Sequence, residues 1–477
     1  MTALGLCLGW FALSGCSTRA SVTGSGGAAD AGPRDAGGTP LDAGHALDAG
    51  GGGNADGGSG GAADAGVAGS AGSAGEAGES GDAGPQVVDN GVRLPDGRVI
   101  PIKYLVVLIK ENHTFDSLFT GFPGATSSPT ATLSTGKVVE RPVAPDGPLN
   151  RDLCHSHSCA RRLYNKGAMN GIDTVGGALE APDAGAPDNL ALIRYSEAQI
   201  PNYWQYARQF VLADHFFTST FSNSFAGHFA TTSGFNVALG NTTCDCTGTC
   251  TVPQYDPVTC VISDQPPCWD YPSVVLNLPS GLTWAEYGNG SPTLMSNQRV
   301  VAQPGHESHF GPFATLQTVI GTKAQPNLIF AHVAGGVSEH PPSDICPGEN
   351  YSVQLLNQIM NSPQWPETAV LLSWDDWGGF YDSVSPETPA CATGDYMSPG
   401  FRVPLLVISP YAKQGFVLKT KTEQASVVRL IEDLWGLPRM HDEDPRIHDT
   451  TVGSLLGAFD FSQKPRPPLL LKTRTCN

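Results

Sequence analysis

The chain has 477 residues, 40% of them hydrophobic and 15% charged, and its 45 acidic against 27 basic side chains give a formal charge of −18. An acidic chain with no cluster of Lys and Arg lacks the electrostatic footprint of a phosphate-backbone binder, which argues against nucleic acid as a partner. Once the biased N-terminal region is set aside, the length suits one large α/β domain or two small ones.

Residues 1–16 carry no charged side chain and end in L-S-G-C at Leu13 to Cys16. This pattern predicts a lipoprotein signal peptide, cleaved so that a lipidated Cys16 holds an exported protein on a membrane of the cell envelope, facing the periplasm or the outer surface. A secreted form is the alternative. The apolar run is too short to span a bilayer. Residues 17–88 are rich in Gly, Ala and Asp, with Asp-Ala-Gly recurring irregularly from Asp30 to Asp82. Such a stretch buries too little apolar surface to offset its ordering entropy, and it reads as a disordered tether.

Residues 89–477 form the expected catalytic domain. Tyr104 to Ile109 is a continuous apolar run of the kind that makes a strand covered on both faces. Polarity then switches at once to Glu111, Asn112, His113, Thr114 and Asp116. Gly121 to Pro148 reads as loop. In Cys154-His-Ser-His-Ser-Cys159 two histidines between two cysteines fit a metal or a disulfide loop. Tyr203, Trp204, Tyr206, Ala207 and Phe210 have the spacing of a buried helix face. Cys244, Cys246, Cys250, Cys260 and Cys268 crowd one segment, read as a disulfide-stapled insertion with open connectivity. With Cys7 and Cys16 set aside, ten of the 12 cysteines remain, an even number in an exported chain, which favours disulfides. Leu355, Leu356 and Ile359 mark another helix. Ala369 to Trp374 is a second buried strand, running into Asp375, Asp376, Trp377, Gly378 and Gly379. Val403 to Ser409 is a further strand, and Gln424 to Trp435 an amphipathic helix stopped by Gly436 and Pro438.

In open α/β sheets ligands sit beyond the carboxyl ends of the strands. If the two acidic-ended strands are parallel neighbours, Glu111, Asn112, Asp375 and Asp376 converge there. Crowded carboxylates repel and resist desolvation unless a cation compensates, so these residues are the expected ligands of a divalent metal ion. Oxygen ligands suit Ca²⁺, Mg²⁺, Mn²⁺ or iron alike.

E-N-H-T-F-D at Glu111 to Asp116 resembles the E-N-R-S-F-D signature of the bacterial phosphoesterases that include phospholipases C and related acid phosphatases. W-D-D-W-G-G-F-Y-D at Trp374 to Asp382 and S-E-H-P-P at Ser338 to Pro342 resemble two further signatures of that family. The likeness runs from residue 100 to residue 461. It implies an α/β fold like that of alkaline phosphatase, a mostly parallel central sheet flanked by helices, with the metal at the carboxyl edge. Ser224 matches the position of the family's nucleophile, with Thr114, Thr220 and Ser222 as nearby alternatives. His155 stands where the family has a site histidine. His340, beside the carboxylate of Glu339, suits a fixed acid. His228 and His309 are assigned to substrate binding. Asn170 stands where the family usually has Asp, and Gln424 where it often has His.

The resemblance implies a metal-dependent phosphoric ester hydrolase acting on a small phosphoester or a phospholipid. Larger phospholipase C members carry β-rich C-terminal extensions that do not follow here, which tilts the reading toward an acid-phosphatase-like phosphomonoesterase. A phospholipase C-type phosphodiesterase acting on lipid headgroups is the alternative, and a non-catalytic surface-binding lipoprotein the alternative from another class. On the expected route Ser224 attacks phosphorus, the metal activates its hydroxyl, His340 or His155 protonates the leaving alcohol, and water hydrolyses the phosphoserine.

Overall fold

The computed structural model describes residues 86–88, 91–180, 187–221, 224–234, 252–255, 262–265, 270–288, 293–386, 399–444 and 447–476. Cys16, the tether as far as residue 85, Ser222 and the five clustered cysteines from Cys244 to Cys268 lie outside the described residues.

Among the described residues the largest sheet has eight strands: β1 Tyr104–Lys110, β2 Val211–Ala213, β3 Trp284–Tyr287, β4 Phe310–Gly311, β5 Leu328–His332, β6 Thr368–Trp374, β7 Leu405–Ile408 and β8 Phe416–Leu418. Their spatial order is β4-β3-β5-β1-β6-β7-β2-β8, and every neighbouring pair is parallel except the two made by β7, which runs against both β6 and β2. The expected adjacency is present, with β1 and β6 side by side and parallel. Leu105 to Ile109 are all buried, on both pleat faces, which explains why the run is apolar without alternation.

Helices α1 Phe115–Phe119, α2 His157–Tyr164, α3 Pro201–Gln209, α4 Ser224–Ser233, α5 Ile345–Met360 and α6 Ala425–Trp435 flank this sheet. Proline at the first position of α3 matches its fixed φ and missing N–H to a helix start. Asp344 caps α5 by accepting from Cys346 N at 2.9 Å. Helix α3 meets α5 where Tyr203 Oη lies 3.0 Å from Ser352 Oγ, and α4 packs on α6. Val427, Val428, Leu430, Ile431 and Leu434 of α6 are buried, as their spacing predicts. Inside the expected loop, Thr130–Thr132 and Val138–Glu140 form a short antiparallel hairpin, because T-A-T and V-V-E flank a tight polar turn.

Two disulfides bear out the expectation of paired cysteines: Cys154–Cys159, which closes the small loop holding His155, and Cys346–Cys476, which fixes the C-terminal tail to the start of α5. No helix among the described residues is long and apolar enough to cross a membrane.

Candidate active site

Register brings the acidic ends together. Ile109 pairs with Ser373 and Lys110 with Trp374, so Glu111 and Asp375 leave the sheet as neighbours. The last rung is Asp375 N donating to Lys110 O at 3.0 Å. Asn112 then turns into the left-handed region (φ 65°), which asparagine tolerates better than most residues, and its N–H donates to Asp375 Oδ1 at 2.8 Å. Asp375 Oδ1 also accepts from Asp376 N at 2.7 Å, and Asp376 Oδ1 accepts from Gly378 N at 2.7 Å. Gly378 has φ +58°, and a Cβ there would lie 2.3 Å from Asn112 O, so the two signatures interlock only with glycine at that point.

The third contributor is α4. Ser224 is its first residue, with Oγ 3.3 Å from Asn112 Oδ1 and 3.4 Å from Asp376 Oδ2. Helix α4 comes this near because residue 227 is glycine: a Cβ there would stand 2.0 Å from Asp375 O. One turn after Ser224, His228 Nε2 lies 3.6 Å from Asp375 Oδ2 and 3.9 Å from Glu111 Oε1. One ligand atom each from Glu111, His228 and Asp375 all lie within 4.8 Å of one another. That is about the span of two ligands across one divalent ion with bonds of roughly 2.0–2.5 Å.

Charge is crowded here. Burial pushes the Asp375 carboxyl up, and the nearby Glu111 charge adds to it. Burial pushes Asp376 well up, with Asp375 as the next cause. For Glu111 burial acts upward too, but the hydrogen bond and charge of His228 outweigh it and hold the group low. Burial works against a charged His228, yet Glu111 and Asp375 together raise its pKa. Asp375 Oδ2 is buried and has no hydrogen-bond partner among the described residues. The cluster calls for positive charge.

The Asn112 amide lies between these carboxylates and two histidines. His155 and His340, with ring centroids 5.7 Å apart, each spend Nδ1 on a backbone carbonyl, Leu153 O at 2.7 Å and Pro341 O at 2.5 Å. In neutral rings this leaves both Nε2 atoms as acceptors. Asn112 Nδ2 lies 3.5 Å from His155 Nε2 and 3.0 Å from His340 Nε2, so it can give them its two hydrogens. In this orientation its Oδ1 lies 3.2 Å from Asp375 Oδ1 and 3.1 Å from Asp376 Oδ1, acceptor against acceptor, which reversing the amide relieves. The reversed amide donates to both carboxylates and accepts from His340 Nε2 at 3.0 Å.

Glu111, Asn112, Asp375, Asp376, Ser224, His228, His155 and His340 are therefore brought together. His309 is not. It stacks on Trp284 at 4.2 Å with Nδ1 2.9 Å from Trp284 O, at the amino end of β3. Trp284 is level with Leu328 and hence with Leu105, about 20 Å before Glu111 along the strands. The pairing of His340 with Glu339 is also corrected. Glu339 sits at φ 76° and points into the core, where Oε1 meets Lys110 Nζ at 2.7 Å and Tyr203 Oη at 2.5 Å, and Oε2 accepts from Trp374 Nε1 at 2.9 Å. The carboxylate nearest His340 Nε2 is Glu111 Oε2, at 3.9 Å. Thr114 is spent capping α1 and donating to Tyr381 O at 3.0 Å. Gln424, at the position where the family often has histidine, ties two loops together. Its Nε2 donates to Asp375 O at 2.5 Å and its Oε1 accepts from Ser219 N at 3.1 Å.

Two residues escaped the sequence reading. His332 ends β5 and lies 2.8 Å from His228, Nδ1 to Nδ1; Glu286, buried in β3, lies 2.6 Å from His332 Nε2. A strand reading L-I-F-A-H repeats the pattern of an apolar run ending in a polar residue, a signal that could have found His332. A second group of ligand-type side chains, Asp152, His155 and His340, lies on the more exposed side of the site.

A mostly parallel α/β sheet whose carboxyl edge gathers three acids, an asparagine, a serine and histidines offers a set of ligand groups for a divalent cation. The model of the phosphoesterase family matches residues 102–438, and the chain belongs to that family. Among curated proteins it is similar to phospholipase C B of Mycobacterium tuberculosis, 31% identical over 151 residues, 28% of this chain and 29% of that protein. It is also similar to the non-hemolytic phospholipase C of Burkholderia pseudomallei, 23% identical over 461 residues, 79% of this chain and 62% of that protein. The chain thus spans about three tenths of the length of the first and under two thirds of the second. A solved structure of a protein in the alkaline phosphatase superfamily from Vibrio parahaemolyticus is 11% identical, covering 70% of this chain and 66% of that one, at a TM-score of 0.30 that carries no argument.

Proposed function

We propose that this protein is a metal-dependent phosphoric ester hydrolase in which Ser224 is the nucleophile. The observation that carries the reading is the position of Ser224 Oγ, 3.3 Å from Asn112 Oδ1 and 3.4 Å from Asp376 Oδ2, at the mouth of the acidic cluster. Glu111, Asn112, Asp375 and Asp376 would hold a divalent cation, and Asp375 Oδ2, buried with no hydrogen bond among the described residues, supports that fit. When bound, such an ion supplies Lewis-acid stabilisation of negative charge on oxygen.

The chain's own residues do the rest. Ser224 Oγ attacks phosphorus and gives its proton to Asp376 Oδ2. His155 or His340, protonated at Nε2, returns a proton to the departing alcohol oxygen, since both rings are fixed through Nδ1 with Nε2 toward the site. The P–O bond to the alcohol breaks as the bond to Ser224 forms. Water then attacks the phosphoserine, losing its proton to the same imidazole, and Asp376 reprotonates Ser224.

The names of the relatives favour a phosphodiester of the phospholipid-headgroup type as substrate, and the phosphomonoester is the second reading. Hydrolysis of phosphatidylcholine and of p-nitrophenyl phosphate by metal-replete protein separates the two. Ser224→Ala should lower turnover by several orders of magnitude on the preferred substrate, and acid quench should trap on Ser224 phosphate from the monoester or phosphocholine from phosphatidylcholine. A Ser224→Ala protein retaining most of its activity would refute the nucleophile. No hydrolysis of either ester would favour the surface-binding lipoprotein.

A further inference from the structure

A hydrogen-bonded chain leaves the acidic cluster through the interior. His228 Nδ1 lies 2.8 Å from His332 Nδ1, and His332 Nε2 lies 2.6 Å from Glu286 Oε1. The two imidazoles meet edge to face at 4.5 Å. Glu286 is fully buried, and its carboxylate also accepts from Thr293 N and Thr293 Oγ1, both at 2.8 Å, and from Leu294 N at 3.1 Å. It sits in β3 beside β5, which delivers His332 at its carboxyl end.

These contacts fix where the hydrogens lie. The Glu286 carboxylate already accepts from three donors, so it accepts from His332 as well and His332 carries its hydrogen on Nε2. In a neutral His332 the Nδ1 atom is then a lone pair, and the hydrogen between the two rings belongs to His228 Nδ1. The opposite polarity would need either a protonated Glu286 facing three other donors or a buried imidazolium at His332, each disfavoured in the interior. In a neutral His228, the state a bound cation requires, the Nε2 lone pair then faces Asp375 Oδ2 and Glu111 Oε1, at 3.6 and 3.9 Å. That nitrogen and one oxygen each of Glu111 and Asp375 lie within 4.8 Å of one another, and Asp375 Oδ2 lacks a hydrogen bond among the described residues, a geometry that a cation fits.

We infer that His228 is a nitrogen ligand of the metal held by Glu111 and Asp375, and that Glu286 and His332 are positioning residues that lock it in the ligating tautomer. This rests on the metal reading above and replaces the substrate-binding role expected for His228. A ligating histidine is commonly oriented by a partner on its other ring nitrogen, and that partner raises its basicity as a ligand. Here the partner is a second histidine, anchored by a carboxylate held in turn by three protein donors. One imidazole among oxygen ligands also shifts preference from Ca²⁺ and Mg²⁺ toward transition metals.

The test uses the full chain titrated with Mn²⁺, with free ion counted by electron paramagnetic resonance and bound ion examined by pulsed spectroscopy for nitrogen coupling. Wild type should bind Mn²⁺ and show coupling to one imidazole nitrogen, which His228→Gln should abolish. Glu286→Gln, which keeps the volume, and His332→Phe, which keeps a ring against His228, should each weaken Mn²⁺ binding about 10- to 100-fold. Thermal unfolding of the metal-free variants separates this from a failure to fold, and Glu286→Gln suffices if His332→Phe does not fold. Bound Mn²⁺ without nitrogen coupling in wild type would overturn the ligand, and wild-type affinity in both Glu286→Gln and His332→Phe would overturn the positioning role. If either result came with loss of binding in Asp375→Asn, the metal reading would stand and only this inference would fall. Wild-type protein that takes up no Mn²⁺ would overturn both.

Discussion

Gly227→Ala probes the assembly of the site through one methyl group. The added Cβ would stand 2.0 Å from Asp375 O, 2.8 Å from Asp375 C and 2.9 Å from Gln424 Nε2. The nearest two are backbone atoms of the loop that carries the carboxylates, so they cannot rotate aside. Ordinary contact begins near 3.4 Å, so α4 must retreat from Asp375 by roughly 1.4 Å, or tilt to the same effect. Two opposing terms set the stability. Replacing glycine by alanine within a helix stabilises by about 0.5–1 kcal/mol, whereas forcing a methyl into a packed contact costs typically 1–3 kcal/mol. The second wins, for a net loss of about 1–2 kcal/mol. Activity should suffer far more. Ser224 and His228 ride on the same helix, and a misplacement of about 1 Å at reacting groups can cost on the order of 100-fold in rate. Gly176→Ala, where nothing lies within 4 Å of the added Cβ, is the control. Urea unfolding and the rate on the better of the two esters are the assays. A Gly227→Ala enzyme with wild-type rate and wild-type stability would refute the argument that close approach of α4 to Asp375 builds the site.

Glu111→Gln and Asp375→Asn should each lower the metal content of purified protein, and full metal with full activity in either would make that residue a turn former. Lys110 Nζ and Glu339 Oε1 are fully buried at 2.7 Å, so Lys110→Met should destabilise by about 3–5 kcal/mol in urea unfolding. The double variant Lys110→Met/Glu339→Gln should recover part of that loss, and equal stability of single variant and wild type would deny an ionised pair. Glu432 of α6 is buried beside Asp449, and these two causes, burial first, push its carboxyl from 4.5 up to about 8. Because the native state then holds a proton that the unfolded chain has lost, this group's contribution is favourable below about pH 4.5 and declines as pH rises toward 8, on the order of 4 kcal/mol in all. Wild type should therefore lose stability between pH 5 and 8 more steeply than Glu432→Gln, and parallel slopes would rule out the shift.

The strand ends were legible because a buried parallel strand and an acidic loop differ so sharply in composition. Tyr104 to Ile109 and Ala369 to Trp374 needed only the right register to bring Glu111 and Asp375 together. Neighbourhood in sequence misled at Glu339 and His340. At φ 76° the chain sends the first side chain into the core and the second into the site, so adjacency implied a contact that the backbone forbids. The helix that begins at Ser224 was not legible, because S-F-A-G-H-F-A-T-T-S is poor in strong helix formers. That helix is stabilised by tertiary contact, with Ala226, Phe229, Ala230 and Thr232 all buried. His309 carries no local mark that separates it from a site histidine. Glu286 and His332 are 46 positions apart, and their pairing depends on the order of strands in the sheet.

The bridge between Cys346 and Cys476 divides the site by covalent topology. The closed ring of chain includes β6, with Asp375 and Asp376 beyond its end, and also β7, β8 and α6; Glu111, Ser224 and His228 lie on the open chain before it. Joining residues 130 apart lowers the entropy of the unfolded chain by about 4–5 kcal/mol, most of a typical domain's margin. The two aspartates thus belong to a half whose ends stay joined when the protein unfolds, while the serine and the glutamate must be recruited from a segment free to wander. In a reducing compartment that inequality disappears, so the oxidised chain should regain metal binding after denaturation faster than the reduced one.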